Sequence, residues 1–232
     1  MTNNHDKTAI AQQMEKLWEP LSDAERAAFV EHLQLMECKA NQKLFAKGDT
    51  PTLLYYLVKG RVTVYCGEKE DCEMIIRMVE PGCIFGMQAA FAGTSYVSTA
   101  IAEADSVVAY VPLQLIFRFV SDNPKVALVF LRDISKLLGY SVNYTVHLTQ
   151  KKIRGRLAET ILRMKEKYGV EADGKTLPVY LSRNDMAMMS NMSLSNAIRT
   201  LSAFVSEGII RFNARKISIL NEHALQQNSL FC

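Results

Sequence analysis

The hydrophobic pattern of this chain changes period sharply at Pro112. Before it, residues 43–112 carry short apolar runs rich in Val, Ile and Tyr, at residues 53–58, 61–66, 74–79 and 107–111. Turn signals separate them: Lys47-Gly48-Asp49, Lys59-Gly60, residues 67–71 and Glu80-Pro81-Gly82. Short strands at regular spacing between Gly-rich turns predict a sandwich or barrel. After Pro112 no strand signal appears for about 65 residues. Residues 126–152 read as one long helix, in which Leu131, Ile134, Leu138, Ser141, Thr145 and Leu148 step by threes and fours along a coiled-coil seam. Ser141 and Thr145 make the lower half of that seam polar. Strands gathered in one segment and helices in another predict an α+β chain.

The flanks complete the organisation. The first 35 or so residues read as helical, with Leu17, Leu21, Ala24 and Ala28 at helical spacing and a capping-box pattern at Ser22-Asp23-Ala24-Glu25. A helix over residues 153–167 follows the long one and stops at Gly169. Ser182-Arg183-Asn184-Asp185 is a second capping box and opens another helix, which Asn191 breaks because Asn tolerates the left-handed conformation. Ser193 caps a further helix that runs to about Glu207, with Gly208 as its stop. Residues 209–212 and 216–220 are short strands flanking Asn213-Ala214-Arg215. The order is helix, turn, helix, two-stranded wing. Three segments are expected: residues 1–124 with the N-terminal helices and the barrel, 125–152 with the long helix, and 153–232 with the helix pair and wing.

Charge divides along the same line. Residues 1–150 carry 14 Lys and Arg against 17 Asp and Glu, a net −3. Residues 151–232 carry 13 against 7, a net +6. An acidic front and a basic rear predict that the rear alone meets a polyanion. The N-terminus is polar, so no signal peptide is expected, and the most apolar stretch, residues 107–120, is interrupted by Pro112, Gln114 and Arg118. It is also shorter than the roughly 18 residues a spanning helix needs. A cytoplasmic protein without a membrane partner is expected. The five cysteines (Cys38, Cys66, Cys72, Cys83 and Cys232) form no Cys-x-x-Cys pair, which argues against a disulfide framework or a zinc ribbon.

The helix pair carries the chemistry. Met186, Met189, Met192, Ala197, Ile198 and Leu201 are expected on its inner face, and Ser193, Leu194, Ser195, Asn196 and Arg199 near the start of the second helix, where DNA would be met. Arg reads guanine through O6 and N7, and Asn reads adenine through N6 and N7. Ser182, Arg183 and Ser193 stand at helix starts, where hydroxyl, guanidinium and N–H groups grip phosphate. Arg215 and Lys216 on the wing would reach a flanking phosphate.

Several motifs together resemble one family. Lys43-Leu44-Phe45-Ala46-Lys47-Gly48-Asp49, Tyr55-Tyr56-Leu57-Val58-Lys59-Gly60 and Pro81-Gly82-Cys83-Ile84-Phe85-Gly86 resemble the β-roll of the CRP/FNR family of transcription regulators, the family of the catabolite activator protein. Leu181-Ser182-Arg183-Asn184-Asp185-Met186-Ala187 and Ser193-Leu194-Ser195-Asn196-Ala197-Ile198-Arg199 resemble its helix-turn-helix. The resemblance covers residues 40–221. It implies a cyclic-nucleotide-binding-like β-roll (a double-stranded jelly-roll barrel), a long dimerisation helix and a C-terminal winged helix-turn-helix. It further implies a homodimer on a palindromic duplex operator, an allosteric small-molecule effector, and RNA polymerase as a further partner.

The sequence departs from that family at its ligand site. Cyclic-AMP-binding members place a Glu directly after Phe-Gly and an Arg eleven residues after that Gly; here those positions are Met87 and Val97. A valine offers an anionic phosphate no charge. The pocket is therefore expected around Gly86, Met87, Gln88, Ala89, Tyr96, Val97, Ser98 and Thr99, retuned to an effector other than cyclic AMP. Backbone N–H groups of a short helix at residues 86–91 remain able to hold an anion, and Ser141 and Asn143 of a partner's long helix could cap the pocket. A sealed, ligand-free barrel is the alternative. In the recognition helix, Ser195 replaces the family's Glu and Asn196 its Thr, while Arg199 is kept.

Other cofactors and classes fit less well. Residues 1–37 hold no Cys for an iron–sulfur cluster, and His5, His32, His147 and His223 are scattered, with surface positions expected, so no haem is expected either. Cys66 and Cys72 flank a turn and could face each other as a redox pair or stand as reduced thiols. A metal-dependent barrel enzyme needs a cluster of His within the barrel, and none occurs between His32 and His147. No catalytic residues and no metal ligands are assigned. A sensor module without DNA binding is the remaining alternative, and it leaves the capped helix pair and wing without a purpose.

Overall fold

The structure, a computed structural model, describes residues 6–67, 74–213 and 215–230. It divides into two compact units, which meet within the long helix between Leu138 and Gly139.

The first unit opens with α1 (Lys7–Gln13), α2 (Glu15–Trp18) and α3 (Asp23–His32). Ser22 caps α3 as the sequence predicts: its hydroxyl accepts from Glu25 N, and the Glu25 carboxylate accepts from Ser22 N at 2.7 Å. The expected helical stretch ends at His32, and residues directly after it form a strand. The strands are β1 (Gln34–Cys38), β2 (Lys43–Phe45), β3 (Leu53–Lys59), β4 (Val62–Cys66), β5 (Met74–Val79), β6 (Ile84–Phe85), β7 (Thr99–Ala102) and β8 (Ser106–Pro112), with the short α4 (Gln88–Ala92) between β6 and β7. They form two antiparallel four-stranded sheets, in the orders β1-β8-β3-β6 and β2-β7-β4-β5. Helix α5 (Leu113–Asp122) follows.

Two faces of one sheet serve two cores. Side chains alternate along a strand, and β3 uses both directions. Leu54 and Tyr56 join a helical cluster with Leu17, Phe29, Ile116 and Phe119, while Tyr55 and Leu57 enter the roll beside Val62, Phe85 and Ala100. Burial on both faces explains why β3 reads as a continuous apolar run rather than an alternating one. The β3–β4 turn depends on Gly60. Its φ of +102° is left-handed, and a Cβ there would lie 2.2 Å from Ser106 Oγ. The same hydroxyl accepts from Arg61 N at 3.1 Å, so turn and neighbouring strand are locked together.

Helix α6 (Pro124–Gln150) runs across the boundary between the units. The second unit contains its last turns, then α7 (Ile153–Tyr168), α8 (Arg183–Met189), α9 (Leu194–Ser206), the hairpin β9 (Ile210–Asn213) and β10 (Lys216–Ile219), and α10 (Glu222–Ser229). Helix α10, absent from the sequence reading, is capped by Asn221, whose carboxamide accepts from Ala224 N. The wing is broader than a hairpin. Leu177 N donates to Ile217 O and Ile219 N to Lys175 O, so the chain before α8 runs beside β10.

Candidate nucleic-acid interface and effector site

Helix α8 starts where the sequence predicts. Ser182 Oγ accepts from Asp185 N at 3.0 Å, and Ser182 N donates to Asp185 Oδ2 at 2.7 Å. Both polar groups of Ser182 are thus engaged in the cap. Arg183, exposed at the first turn, lays its guanidinium 4.7 Å from the Phe212 ring centroid on β9, a cation–π contact that links α8 to the wing. Asn191 takes the left-handed conformation at φ +47°, and Ser190 Oγ donates to Thr160 Oγ1 at 2.9 Å inside the unit, tying the turn to α7.

Helix α9 is capped by Ser193, whose hydroxyl accepts from Asn196 N and stands 3.2 Å from Ser195 Oγ. Ala197, Leu201 and Phe204 are buried and fix its inner face. Ile198 departs from the expected inner face: it is 41% exposed, because the helical repeat that buries Ala197 and Leu201 turns it outward. Leu194 is 44% exposed, one turn before it. Ser195 and Arg199 are exposed, and Asn196 is half-buried, with its Oδ1 accepting from the Arg199 guanidinium and its backbone carbonyl from Thr200 Oγ1. The two expected base readers are therefore paired with each other.

On the wing, Arg215 is exposed, and Lys216 is held in place by Glu171. Lys216 Nζ lies 2.5 Å from Glu171 Oε1 and 5.1 Å from the Tyr180 ring centroid. The hydrogen bond to Glu171, with that carboxylate's charge, raises the lysine's pKa and keeps it cationic. Arg211 is a further exposed cation that the sequence reading passed over. Its signal was the strand alternation that buries Ile210 and turns the next side chain out.

The end of α6 approaches α8 within this unit. Tyr144 Oη donates to Met189 O at 3.0 Å, and the Arg163 guanidinium lies 5.3 Å from the Tyr144 ring centroid. His147, expected at the surface, is half-buried instead. Its Nε2 is 3.4 Å from Glu159 Oε1, Lys151 Nζ is 3.1 Å from Glu159 Oε2, and its Nδ1 is buried without a hydrogen-bond partner. Ser141 and Asn143 are exposed on the same helix.

In the first unit, the residues expected around an effector point three ways. Met87 is buried in the helical cluster and Ala89 in the roll, Gln88 is exposed, and Val97 is 66% exposed to solvent. Tyr96 turns into the roll. Its ring stacks on Phe45 at 3.9 Å, Phe45 meets Tyr55 at 5.9 Å, and Tyr55 stacks on Phe85 at 5.3 Å. Tyr96 Oη donates to Gly86 O at 3.1 Å, and burial above all holds this phenol protonated far above the ordinary tyrosine range. Gly86 has φ +82°, and a Cβ there would stand 2.9 Å from the Tyr55 ring, so only glycine fits beside the rings. At the rim Thr99 Oγ1 accepts from Lys47 N at 3.1 Å, Cys66 Sγ donates to Val97 O at 3.5 Å, and Ser98 is half-buried. Cys72 lies outside the described residues, so the two alternatives for Cys66 and Cys72, a facing redox pair or reduced thiols, both stand.

Comparison with known proteins gives matches to both units. The Cyclic nucleotide-binding domain family matches residues 35–123, and the Crp-like helix-turn-helix domain family matches residues 155–228. The chain is 20% identical over 204 residues to a CRP-like cAMP-activated global transcriptional regulator of Mycobacterium tuberculosis, covering 88% of this chain and 91% of that one. The fold is similar to that of FixK2 from Bradyrhizobium japonicum (TM-score 0.75, 20% identity, 86% of this chain and 98% of that one). It is also similar to a CooA mutant from Carboxydothermus hydrogenoformans (TM-score 0.74, 22% identity, 86% and 88%).

Proposed function

The chain belongs to the CRP/FNR family of DNA-binding transcription regulators, and on that premise we propose that it acts as a homodimer on a palindromic operator, under control of a small molecule other than cyclic AMP. One observation carries the reading of the operator: Ser195 and Arg199 stand exposed on a helix whose buried side is fixed by Ala197, Leu201 and Phe204. A rigid helix with a polar, cationic outer face is what major-groove readout requires. Arg183, Arg211 and Arg215, all exposed, provide phosphate contacts on either side, and the net +6 of residues 151–232 supplies the sequence-independent attraction.

Support for the dimer comes from α6. Leu131 and Leu138, seven residues apart, are 59% and 65% exposed within one protomer, as seam positions awaiting a symmetry mate would be. Support for a retuned effector comes from Met87 and Val97, an interior thioether and an outward aliphatic chain where a nucleotide's ribose and phosphate would need Glu and Arg. RNA polymerase is a further partner on this reading, and the cytoplasm its place of action; among the described residues no helix is long and apolar enough to cross a membrane. The test is binding of the purified chain to random duplexes across salt. A selected palindromic motif, with affinity falling steeply as salt rises, is expected. Binding without sequence preference, or none, overturns the proposal.

A further inference from the structure

The outer face of α9 has two chemically different flanks. Along the helix, Leu194, Ile198 and Val205 fall on one row, spaced four and seven residues apart, and all three are exposed, at 44%, 41% and 43%. The Arg199–Asn196 pair forms the opposite flank, and Ser195 and Ser202 lie exposed between them. Three aliphatic side chains in one exposed row on a small basic unit form an apolar patch of the kind that marks a contact surface, apart from the inner face where Ala197, Leu201 and Phe204 are buried. In the major groove only one feature of a base pair rewards an aliphatic side chain, the C5-methyl of thymine.

We infer that Leu194 and Ile198 are specificity determinants that read thymine methyl groups in each half-site, next to the base pair met by Arg199. The inference rests on α9 being the groove-reading helix. Two features of the same helix and one of the unit around it favour this occupant over a protein partner. The row starts at the capped N-terminus, where a recognition helix approaches base edges. Arg199 directly follows Ile198, so the aliphatic and guanidinium groups face adjacent base pairs. The unit around them carries the positive charge that a duplex, not an apolar protein surface, complements. Val205 lies two turns further on, where the helix leaves the groove, and is not included.

Deoxyuridine tests this directly, because it pairs like thymidine and differs only by the missing methyl. The preferred site of the wild-type chain is first selected from random duplexes, and each thymine of a half-site is then replaced by deoxyuridine in turn. Loss of about three- to fivefold in affinity per methyl is expected at one or two positions, the worth of one buried methyl group. Leu194→Ala and Ile198→Ala should each bind the thymine site more weakly by a similar factor and should each abolish the penalty at one position. Ile198→Val, which keeps both γ-carbons, should retain it. Both residues are exposed, so the variants fold, which circular dichroism checks. Equal affinity of the wild type for thymine and uracil sites overturns the inference while leaving DNA binding intact. So does an undiminished penalty in both alanine variants. A wild-type chain that selects no duplex overturns both this inference and the regulator reading beneath it.

Discussion

At the residue scale, the pairing of Arg199 with Asn196 changes what each is expected to do. An Asn that reads adenine needs both its carbonyl and its amide free, yet Asn196 Oδ1 already accepts from Arg199. On the proposed reading Asn196 is then a positioning residue, expected to steady the guanidinium at the base pair that Arg199 meets. Arg199→Ala should cost roughly 1–3 kcal/mol and relax preference at one base pair per half-site. Asn196→Ala should relax preference at that same base pair, and the double variant should be little worse than Arg199→Ala alone, since coupled residues are not additive. Selection of sites by all three variants checks this; loss of preference at a separate adenine in Asn196→Ala would restore it as an independent reader. Arg183, whose guanidinium lies over the Phe212 ring, is expected to meet only the phosphate backbone. Arg183→Ala should weaken all sequences about equally and lower the salt slope by about one. Caps were legible in the sequence at this scale because a cap is a local contract between a hydroxyl and an N–H three residues on. The outward turn of Ile198 was not. An isoleucine reads as core by composition, and the joint burial of Ala197, Leu201 and Phe204 fixes which stripe of α9 points in.

At the element scale, α6 belongs to both units and is exposed along much of its length. Its heptad stripe was legible in the sequence, and Leu131 and Leu138 stand exposed along it as the proposed dimer seam. In the proposed dimer, Leu138→Asp places an unpaired charge in an apolar interface, which strongly destabilises association. The variant is expected to sediment as a monomer at micromolar concentration, and a persistent dimer would show that another surface pairs the protomers. The polar end of the helix was less legible. Tyr144 and His147 lie beside the predicted seam rather than on it, and their partners Met189, Arg163 and Glu159 come from α7 and α8, far along the chain. His147 carries a pH signature. Burial first, with Lys151 and Arg163 adding and Glu159 opposing, lowers its pKa from the usual histidine value. The unfolded chain, with a histidine pKa near ~6.5, then binds a proton more readily than the folded one. Stability is full above that value and is lost as pH falls from it through the lower folded value. The thermal midpoint should fall between about pH 7 and pH 5, and His147→Gln should flatten that part of the profile. An unchanged profile in the variant would assign the acid sensitivity elsewhere.

At the scale of the whole molecule, the charge boundary and the structural boundary coincide. Residues 139–150 contain no Lys, Arg, Asp or Glu, so the unit that ends at Leu138 holds the whole net −3 and the unit that follows the whole +6. The order of strands, long helix and capped helix pair was legible because each announces itself through period or punctuation. The interior of the roll was not, since nothing local tells Tyr55, Tyr96, Phe45 and Phe85 to meet. They come from four separate segments and are brought together only by two sheets closing on each other. That meeting sharpens the expectation for cyclic AMP. A bound nucleotide needs a cation for its phosphate, a polar group for its ribose and space for its base. Val97 supplies no charge, and Met87 is turned into the helical cluster. The Tyr96 ring, stacked 3.9 Å from Phe45 and hydrogen-bonded to Gly86, takes up room inside the roll. Opening that space would break a ring stack and a buried hydrogen bond, together worth on the order of 1–3 kcal/mol, before any ligand contact forms. Titration calorimetry with cyclic AMP and with cyclic GMP should therefore show binding far weaker than micromolar. A dissociation constant near ~1 μM, about −8 kcal/mol, would mean that the rings move aside and that another cation replaces the missing arginine. Tyr96→Ala separates the two obstacles. If space alone limits binding, removing the ring should bring cyclic AMP affinity into the micromolar range. If the missing charge dominates, as the exposed valine argues, the variant should stay as unresponsive as the wild type, and Val97→Arg should be the change that raises affinity.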